Sequence, residues 1–491
     1  MYLKLLRTKL RKSHKGEISI YLSLVFTLII SLTLAVITGA RGAALQVAYE
    51  CAVESALLSA FGEYNRELLE RYDVFFIDLS YLSNSPDPKN LEARLNEYFD
   101  DNFHPEEDTN FLFYSDILDV TDTNVSLSEY ELATDRWGKP FAKQAVEYMR
   151  NLVGINDITE MADLVAVWDS YDLDTEKYEK IKDEAASKIT YSDDDTWEQT
   201  AIKDNYLSWI DYDYGAIGIM GKDYFSLSNA KIDGSYTLLK RSKEQGSGDL
   251  SEFSFDPTEN ILFTEYIMQK TGDYIHPKDD THLKYETEYI IFGRTTDLMN
   301  MTDCVKTMFY VRAFADYISL NMASDKVEVV QSASELISAI TEIPEPVITQ
   351  VVLLIWGEME ALTDMKSLLK GEGVPLIKTS DQINVSVSGL IGLLGGSVDD
   401  DAADAASAVS SDGIPTVKVN YNGYMRLFLY YVPSFVKTYR TMDIIEFNLR
   451  DSGTGNEFFR FDVCADKVKA VFSVETGFDF RFYGEKKYSY F

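Results

Sequence analysis

The chain has 491 residues, of which 46% are hydrophobic and 13% aromatic, with only 11 prolines. This composition excludes an intrinsically disordered chain and supplies enough apolar side chains for a sizeable core. Lys and Arg number 46 against 80 Asp and Glu, which gives a formal net charge of −34. So large an excess of negative charge repels the phosphate backbone, and we therefore exclude nucleic acid as a partner.

The first segment, residues 1–17, is a basic leader. Up to Gly16 it holds no acidic residue and six basic ones: Lys4, Arg7, Lys9, Arg11, Lys12 and Lys15. Basic residues ahead of an apolar run predict a cytoplasmic N-terminus, with the bulk of the chain on the extracytoplasmic side. Three interpretations compete: a signal peptide that is removed, a pilin-like leader cut between Gly16 and Glu17, or an anchor that stays.

The second segment, residues 18–40, has 23 residues and no charge. At ~1.5 Å per residue a helix of this length spans about 34 Å, enough to cross a hydrocarbon core of about 30 Å. The apolar region of a signal peptide is only about 7–15 residues long, so the length favours a retained transmembrane helix. The lipid bilayer is then a partner of the anchor residues Ile18, Leu22, Phe26, Ile30, Leu34 and Ile37.

Small residues continue the helical pattern beyond the apolar run. No proline occurs between Ile18 and Arg71, and isolated glycines only weaken a helix. We therefore predict one helix of roughly 50 residues, about 80 Å long, whose residues 41–78 form a stalk. A stripe of alanines suits close packing against like helices or other membrane proteins, with a plain stalk as the alternative: Ala44, Ala48, Ala52 and Ala60.

Residues 79–169 read as an α+β segment, with a helix from Pro88, strands before residue 133 and a helix that includes residues 139–155. Residues 170–280 are the most acidic and least periodic part, which indicates an insertion or a subdomain.

The last third of the chain is predicted to hold most of the core. Residues 281–394 form a helical core region, with a buried strand at residues 287–293 and a helix from Pro346 that is too short in its apolar run to span a bilayer. Residues 395–415 are low in complexity and indicate a flexible loop. Residues 416–491 contain two helices and a C-terminal β-hairpin with one buried face, formed by an alternating set of side chains: Val468, Ala470, Phe472, Val474, Phe478, Phe480 and Phe482. The fold class is α+β, a long N-terminal transmembrane helix and stalk followed by a mixed helix and antiparallel-sheet extracytoplasmic domain.

Acidic residues suggest two weak candidate sites. Glu360 and Asp364 lie on one helix face, where they would form an acid–base couple, although helix-surface charge is the usual role of such a pair. Another group imitates the start of a calcium loop, but Lys177 stands in place of the turn glycine: Asp169, Asp172, Asp174 and Glu176.

The histidines and cysteines give little evidence for a metal site or a disulfide bond. His276 and His282 could bind a metal, but a surface turn is the simpler interpretation. Cys304 and Cys464 could pair, although their spacing alone does not show it. The sequence lacks a phosphate loop, G-x-S-x-G and H-E-x-x-H, so we expect no enzyme, no cofactor and no metal.

The opening of the chain resembles TadE/TadG-like pseudopilins of tight-adherence (Tad) pilus systems. The residues that carry the resemblance are "KGEISIYLSL" and "GARGAALQVAYECAVESALLSAFGEYNRELLERYDVFFIDLS". They are similar to a largely uncharacterised Gram-positive family found with Tad-type pilus genes. Further stretches that match it in order are "DRWGKPFAKQAVEYMRNLV", "ETEYIIFGRTTDLMNM", "VRAFADYISLNMA", "WGEMEALTDMKSLLKGEGVPLIK" and "NGYMRLFLYYVPSFVKTYRTMDIIEFNLR".

The resemblance implies a structural or accessory component of a Tad-type pilus or secretion system, with other pilus or secretion membrane proteins as partners. Pilin-like leaders are cut after glycine and carry a glutamate five residues later. Here Glu17 follows Gly16 directly and Tyr21 occupies the fifth position, a departure that favours an uncleaved anchor. The alternatives are a tethered extracellular binding or adhesion module unrelated to pili, and a membrane-anchored hydrolase that uses the acidic segment.

Overall fold

The computed structural model describes residues 2–104, 118–248, 253–386 and 417–490. The predicted flexible loop at residues 395–415 lies outside these described residues. In the first half of the chain the elements are α1 (Tyr2–Phe61), α2 (Arg66–Tyr72), β1 (Ile77–Asp78), α3 (Pro88–Asp101), β2 (Val120–Leu132), α4 (Asp135–Arg150), α5 (Ile155–Tyr171), α6 (Thr175–Ser187), α7 (Trp197–Ile210) and α8 (Ala216–Met220).

The second half is helical until its last strands. Its elements are α9 (Pro257–Lys270), α10 (Glu286–Phe292), α11 (Asp297–Met322), α12 (Ser324–Thr341), α13 (Glu345–Leu368), β3 (Val374–Pro375), β4 (Lys418–Val419), α14 (Tyr421–Tyr431), α15 (Ser434–Asp451), β5 (Cys464–Thr476) and β6 (Arg481–Ser489). The fold is therefore a mixture of helices and antiparallel sheet with a long apolar helix at the N-terminus.

The main sheet is built around β5. Strand β2 pairs antiparallel with β5 along one edge, and β1 and β6 pair antiparallel with its other edge. The predicted C-terminal hairpin is thus confirmed. Four of its predicted inward residues are fully buried, because alternate side chains of a strand point to one face: Val468, Ala470, Phe472 and Val474. Phe480 and Phe482 are half-buried. The prediction was wrong at Phe478, which is 44% exposed because it lies in the connection between β5 and β6, where the alternation of a strand no longer applies.

One face of this sheet is covered by α3 and the second half of α1. Leu91, Leu95 and Phe99 project from α3 at helical spacing and meet the buried side chains of β5. Asp87 caps α3 by accepting a hydrogen bond from the Lys89 amide, and Pro88 follows at the first helical position, as predicted.

The helical body is centred on the antiparallel contact between α11 and α13. Trp356 is fully buried there, and a Cβ atom at Gly357 would lie 2.9 Å from the carbonyl oxygen of Ala313. The absence of a side chain at Gly357 therefore lets the two helix backbones approach closely. The prediction of a core helix from Pro346 is confirmed, because 72% of its most apolar window is buried.

A second core lies beside α4, α9 and α15. Phe263 and Tyr266 of α9 pack there, whereas Tyr178 and Tyr206 of α6 and α7 pack in the core around α11 and α13. Residues 170–280, expected as an insertion or a subdomain, thus share both cores with the rest of the chain.

Two predicted elements were wrong. Residues 287–293 belong to helix α10 and its end, not to a buried strand. A short apolar run that is buried on most sides does not reveal its period, which is why this segment was misread. In addition, α1 ends at Phe61 instead of continuing towards Arg71, because Gly62 closes its last turn. The side chain of Asn65 then accepts a hydrogen bond from the Leu68 amide and starts α2 as a new helix.

Candidate membrane anchor and its junction with the folded body

Residues 18–40 of α1 present apolar side chains to the surroundings on all sides of the helix. The predicted anchor residues have exposed fractions between 43% at Ile30 and 68% at Leu22, and they also include Ile18, Phe26, Leu34 and Ile37. Within the described residues two helices are long and apolar enough to cross a membrane, α13 and this part of α1. The most apolar window of α1 has no buried residue, unlike that of α13. Exposed apolar surface of this extent indicates contact with a non-aqueous partner.

The three threonine hydroxyl groups within this apolar run form hydrogen bonds with the backbone of the helix itself. The Thr27, Thr33 and Thr38 hydroxyls each donate to the carbonyl oxygen four residues earlier, at 2.7–2.8 Å. A polar group that is already hydrogen-bonded costs little to place in an apolar medium. The threonines are therefore compatible with a lipid environment.

The predicted processing position lies within the continuous helix. Gly16 and Glu17 are both residues of α1, whose backbone runs without a break from Tyr2 to Phe61. Whether this bond is cut stays a prediction.

The second half of α1 is part of the folded body. Of the predicted alanine stripe, Ala52 and Ala60 are fully buried against α3 and β5, Ala48 is half-buried and Ala44 is exposed. The two buried alanines thus pack within the chain itself. Packing of a partner helix against Ala44 and Ala48 stays a prediction.

The Tyr49 side chain fastens α1 to the C-terminal hairpin. Its hydroxyl donates to the carbonyl oxygen of Phe472 at 3.0 Å, and Phe472 pairs with Gly484 across β5 and β6. A Cβ atom at Gly484 would lie 2.7 Å from this hydroxyl, so a side chain there would clash with it. Burial raises the pKa of Tyr49, which keeps the phenol protonated and able to donate.

The end of α1 is fastened by the last residues of the hairpin. The Tyr490 hydroxyl donates to the Phe61 carbonyl oxygen at 2.8 Å, which satisfies one of the acceptors left open at a helix C-terminus. The Phe61 ring also packs edge-on against Tyr488, with 4.5 Å between ring centroids. The apolar half of α1 therefore continues into a segment held by contacts along its length.

A buried cluster of five charged residues lies between α11 and α13. Asp364 forms ion pairs with two cations, with its carboxylate 2.9 Å from Arg312 Nη2 and 2.8 Å from Lys378 Nζ. Arg312 also contacts Asp316, and Lys378 contacts Glu360. All five side chains are at most 4% exposed. Burial raises the pKa of Asp316, although Arg312 and Lys378 both lie beside its carboxylate.

This charge cluster corrects the expectation that Glu360 and Asp364 are helix-surface charges. Neither residue is exposed, because Arg312 and Lys378, which are distant in sequence, neutralise them inside the core. Glu360 also accepts from the Asn384 and Val385 amides at 3.0 and 2.9 Å. The carboxylates therefore hold the segment after β3 against α13, and we infer a structural role for them.

A cavity of about 700 Å³ opens beside α6, α7 and α11. Its charged side chains hold one another: Lys306 Nζ lies 2.9 Å from Asp213 and Arg294 Nε lies 2.6 Å from Asp303. At its edge, Lys182 Nζ lies 2.6 Å from buried Glu358, whose pKa burial raises to about 7. The carboxylates named here are thus engaged as ion-pair partners.

Comparison with known proteins places the chain in a family. The model of a family of unknown function (DUF5702) matches residues 198–476. The chain belongs to this family. No curated protein and no solved structure matches it.

The range matched by DUF5702 includes helices α8 to α15 and strand β5. It contains all five members of the buried charge cluster, whereas helices α1 to α6 and strands β1, β2 and β6 lie outside it. The family model therefore spans part of both helical cores, and the second half of α1 packs against strand β5 of the matched range.

The remaining predicted candidates lie apart from one another. Asp174 caps α6, Asp172 pairs with Lys177 at 2.8 Å, and Asp169 accepts from the Tyr431 hydroxyl. His282 stacks on Phe447 with 5.2 Å between ring centroids. Among the described residues no group of three or more metal-binding side chains converges.

The two candidate cysteines are free thiols. Cys304 is buried beside Tyr421 in the core of α11 and α13, and Cys464 is buried in the second core, where its thiol donates to the Arg460 carbonyl oxygen. Burial raises the pKa of both thiols, so they remain protonated.

Proposed function

We propose that the protein is a single-pass membrane protein that holds an acidic α+β body outside the cytoplasmic membrane. In this role it serves as a non-enzymatic structural or accessory component of a Tad-type pilus or secretion system. The observation that carries the proposal is the contrast within α1, whose residues 18–40 are exposed and apolar and whose second half packs one face against the body.

Length and charge support the anchor. The uncharged run of residues 18–40 matches the thickness of a bilayer core, about 30 Å. The six basic residues before it favour retention of the N-terminus on the cytoplasmic side.

The pilus context rests on the resemblance of the chain to TadE/TadG-like pseudopilins. The body offers a large acidic surface and an exposed stripe at Ala44 and Val47, both suited to contacts with neighbouring subunits. Affinity capture of the full chain from membranes tests this context. Recovery of pilin or pilus-platform subunits is expected, and their absence would favour a tethered binding module.

Extraction and protease protection test the anchor. A full chain with a C-terminal epitope tag should stay in the membrane pellet at alkaline pH, and protease added to intact cells should remove the tag. Recovery of the tagged chain in the soluble cytosolic fraction would contradict the proposal.

N-terminal sequencing of the mature protein separates the three interpretations of the leader. A start at residue 1 or 2 means a retained anchor, as we propose. A start at Glu17 means leader processing with the anchor kept. A start near Arg41 or Ala43 means a removed signal peptide and would overturn the anchor.

A further inference from the structure

The tip of the C-terminal hairpin lies beside the end of the apolar run of α1. Residues 477–480 connect β5 to β6, and Phe478 at the apex has an exposed fraction of 44%. The Arg41 guanidinium lies over the Phe478 ring, with 4.3 Å between Cζ and the ring centroid. Arg41 is also the first charged residue after residues 18–40.

A second contact fixes the same arrangement. The Phe480 ring lies 3.5 Å from the position that a Cβ atom of Gly42 would occupy. The hairpin tip therefore contacts two successive residues of α1, immediately after the uncharged run ends.

The hairpin tip is held beside Arg41 and Gly42, because the other end of the hairpin is also fixed to α1. From Arg41 to Phe61 the helix rises about 30 Å at ~1.5 Å per residue. From Arg481 to Tyr490 an extended strand rises about 30 Å at ~3.4 Å per residue. Strand β6 thus matches the buried half of α1 in length, and the hydrogen bond from Tyr490 to Phe61 holds the distant end.

The charges around the tip are mixed. Glu475 and Arg481 form an ion pair at 3.3 Å, and the other charged residues near the tip are acidic Asp119 and Asp479 and basic Arg41. Attraction to a charged surface is therefore small, and the exposed Phe478 ring is the chief group that gains by leaving water.

We propose that the hairpin tip is a second membrane contact, in which Phe478 enters the boundary between headgroups and acyl chains while Arg41 meets lipid phosphates. This inference rests on the proposed anchor, because residues 18–40 must span the bilayer to bring the tip to its surface. Aromatic rings and arginines are favoured at this depth. The bilayer then touches the protein at the helix and at the tip, which fixes the tilt of the body.

Spin labelling of the full chain in phosphatidylcholine nanodiscs tests the proposal. The variants Phe478→Cys, Phe458→Cys and Ile30→Cys carry a nitroxide in a Cys51→Ser background, since Cys304 and Cys464 are buried. Phe458 is the matched control: its exposed fraction is 46%, and it lies near Asn456, which contacts Glu67 beyond the far end of α1.

The measurement is the ratio of nitroxide collisions with oxygen, which enters lipid, to collisions with a water-soluble nickel chelate. We expect this ratio to be several-fold higher at position 478 than at 458, and highest at 30. Equal, water-like ratios at 478 and 458 with a lipid-like ratio at 30 would overturn the tip contact and leave the anchor intact. A water-like ratio at 30 would overturn the anchor and the tip contact together.

Discussion

The Tyr49 hydroxyl occupies the space that a side chain at residue 484 would need, 2.7 Å from the Cβ position of Gly484. The same hydroxyl donates to Phe472, so one contact joins the long helix to both strands of the hairpin. Glycine inside a strand often marks such a close approach. The two positions should therefore be energetically coupled.

A double-mutant cycle measures this coupling. Gly484→Ala should destabilise the protein by about 1–3 kcal/mol through overpacking, and Tyr49→Phe by about 1 kcal/mol through loss of a hydrogen bond. The double variant should lose less than the two together, because the nearest ring carbon would then be 3.6 Å away. Urea unfolding in detergent supplies the values. Gly218→Ala, whose Cβ would meet nothing within 4 Å, is the control; strict additivity would refute the coupling.

The contribution of the buried charge cluster to stability should depend on Lys378. Lys378→Met leaves Asp316, Glu360 and Asp364 with Arg312 alone, and an uncompensated buried charge costs about 3–5 kcal/mol. Lys366→Met removes an exposed lysine from α13 and should change stability by less than about 0.5 kcal/mol. The difference is read from the urea midpoints of the two variants. Equal midpoints would mean that Lys378 is not needed to neutralise the buried carboxylates.

Stability should fall as pH rises from about 4.5 to 8. Burial raises the pKa of Glu288 to about 8 and that of Asp443 to about 7, so the folded state holds protons that the unfolded state has already released. The stabilisation is complete below the unfolded pKa and is lost as pH rises through the folded pKa. Each such group contributes a slope of up to about 1.4 kcal/mol per pH unit.

The variant Glu288→Gln tests this origin of the slope. Its neutral amide oxygen can still accept from Tyr421 and from the Tyr274 amide, the two donors that Glu288 contacts. Thermal unfolding measured from pH 5 to pH 8 should show a smaller slope in this variant than in the parent. The exposed control Glu457→Gln should keep the parent slope, and an unchanged slope in Glu288→Gln would assign the pH dependence elsewhere.

An arginine introduced at the centre of residues 18–40 should weaken membrane insertion, whereas an arginine introduced beyond the end of this run should not. Ile30→Arg places a cation near the middle of residues 18–40, at a cost of about 2.5–3.5 kcal/mol for insertion. Val47→Arg makes the same change at an apolar position that is 62% exposed but past the span. Alkaline extraction should release more of the Ile30 variant than of the Val47 variant. Similar release of both would argue against a span centred near residue 30.

Local signals sufficed for much of the fold. Pro88 marked the start of α3, the two helices predicted within residues 416–491 are observed there as α14 and α15, and strict alternation from Val468 to Val474 identified β5. Each of these signals comes from residues that are close together in the chain. A single sequence shows such local patterns directly, but it does not show which distant residues come into contact.

The parts that were missed depend on distant residues. Nothing near Glu360 indicates that Arg312 and Lys378 will neutralise it, so a buried cluster looked like a charged helix face. Residues 287–293 were misread because α10 is covered on most sides and shows no period. Among the residues that join α1 to the hairpin, only Gly484 could have been noticed in the sequence, because it is a glycine inside a strand.

The position of strand β5 near the C-terminus also determines when the core around α1 can finish folding during synthesis. The apolar face of α1, including Leu45 and Leu57, is made early, while the strand that covers it is made about 400 residues later. Helix α3 covers part of this face early, but at roughly 5–20 residues per second the part that β5 covers waits some 20–80 s. Any product that stops before residue 464 leaves that part exposed, and such chains should be substrates for chaperones and proteases.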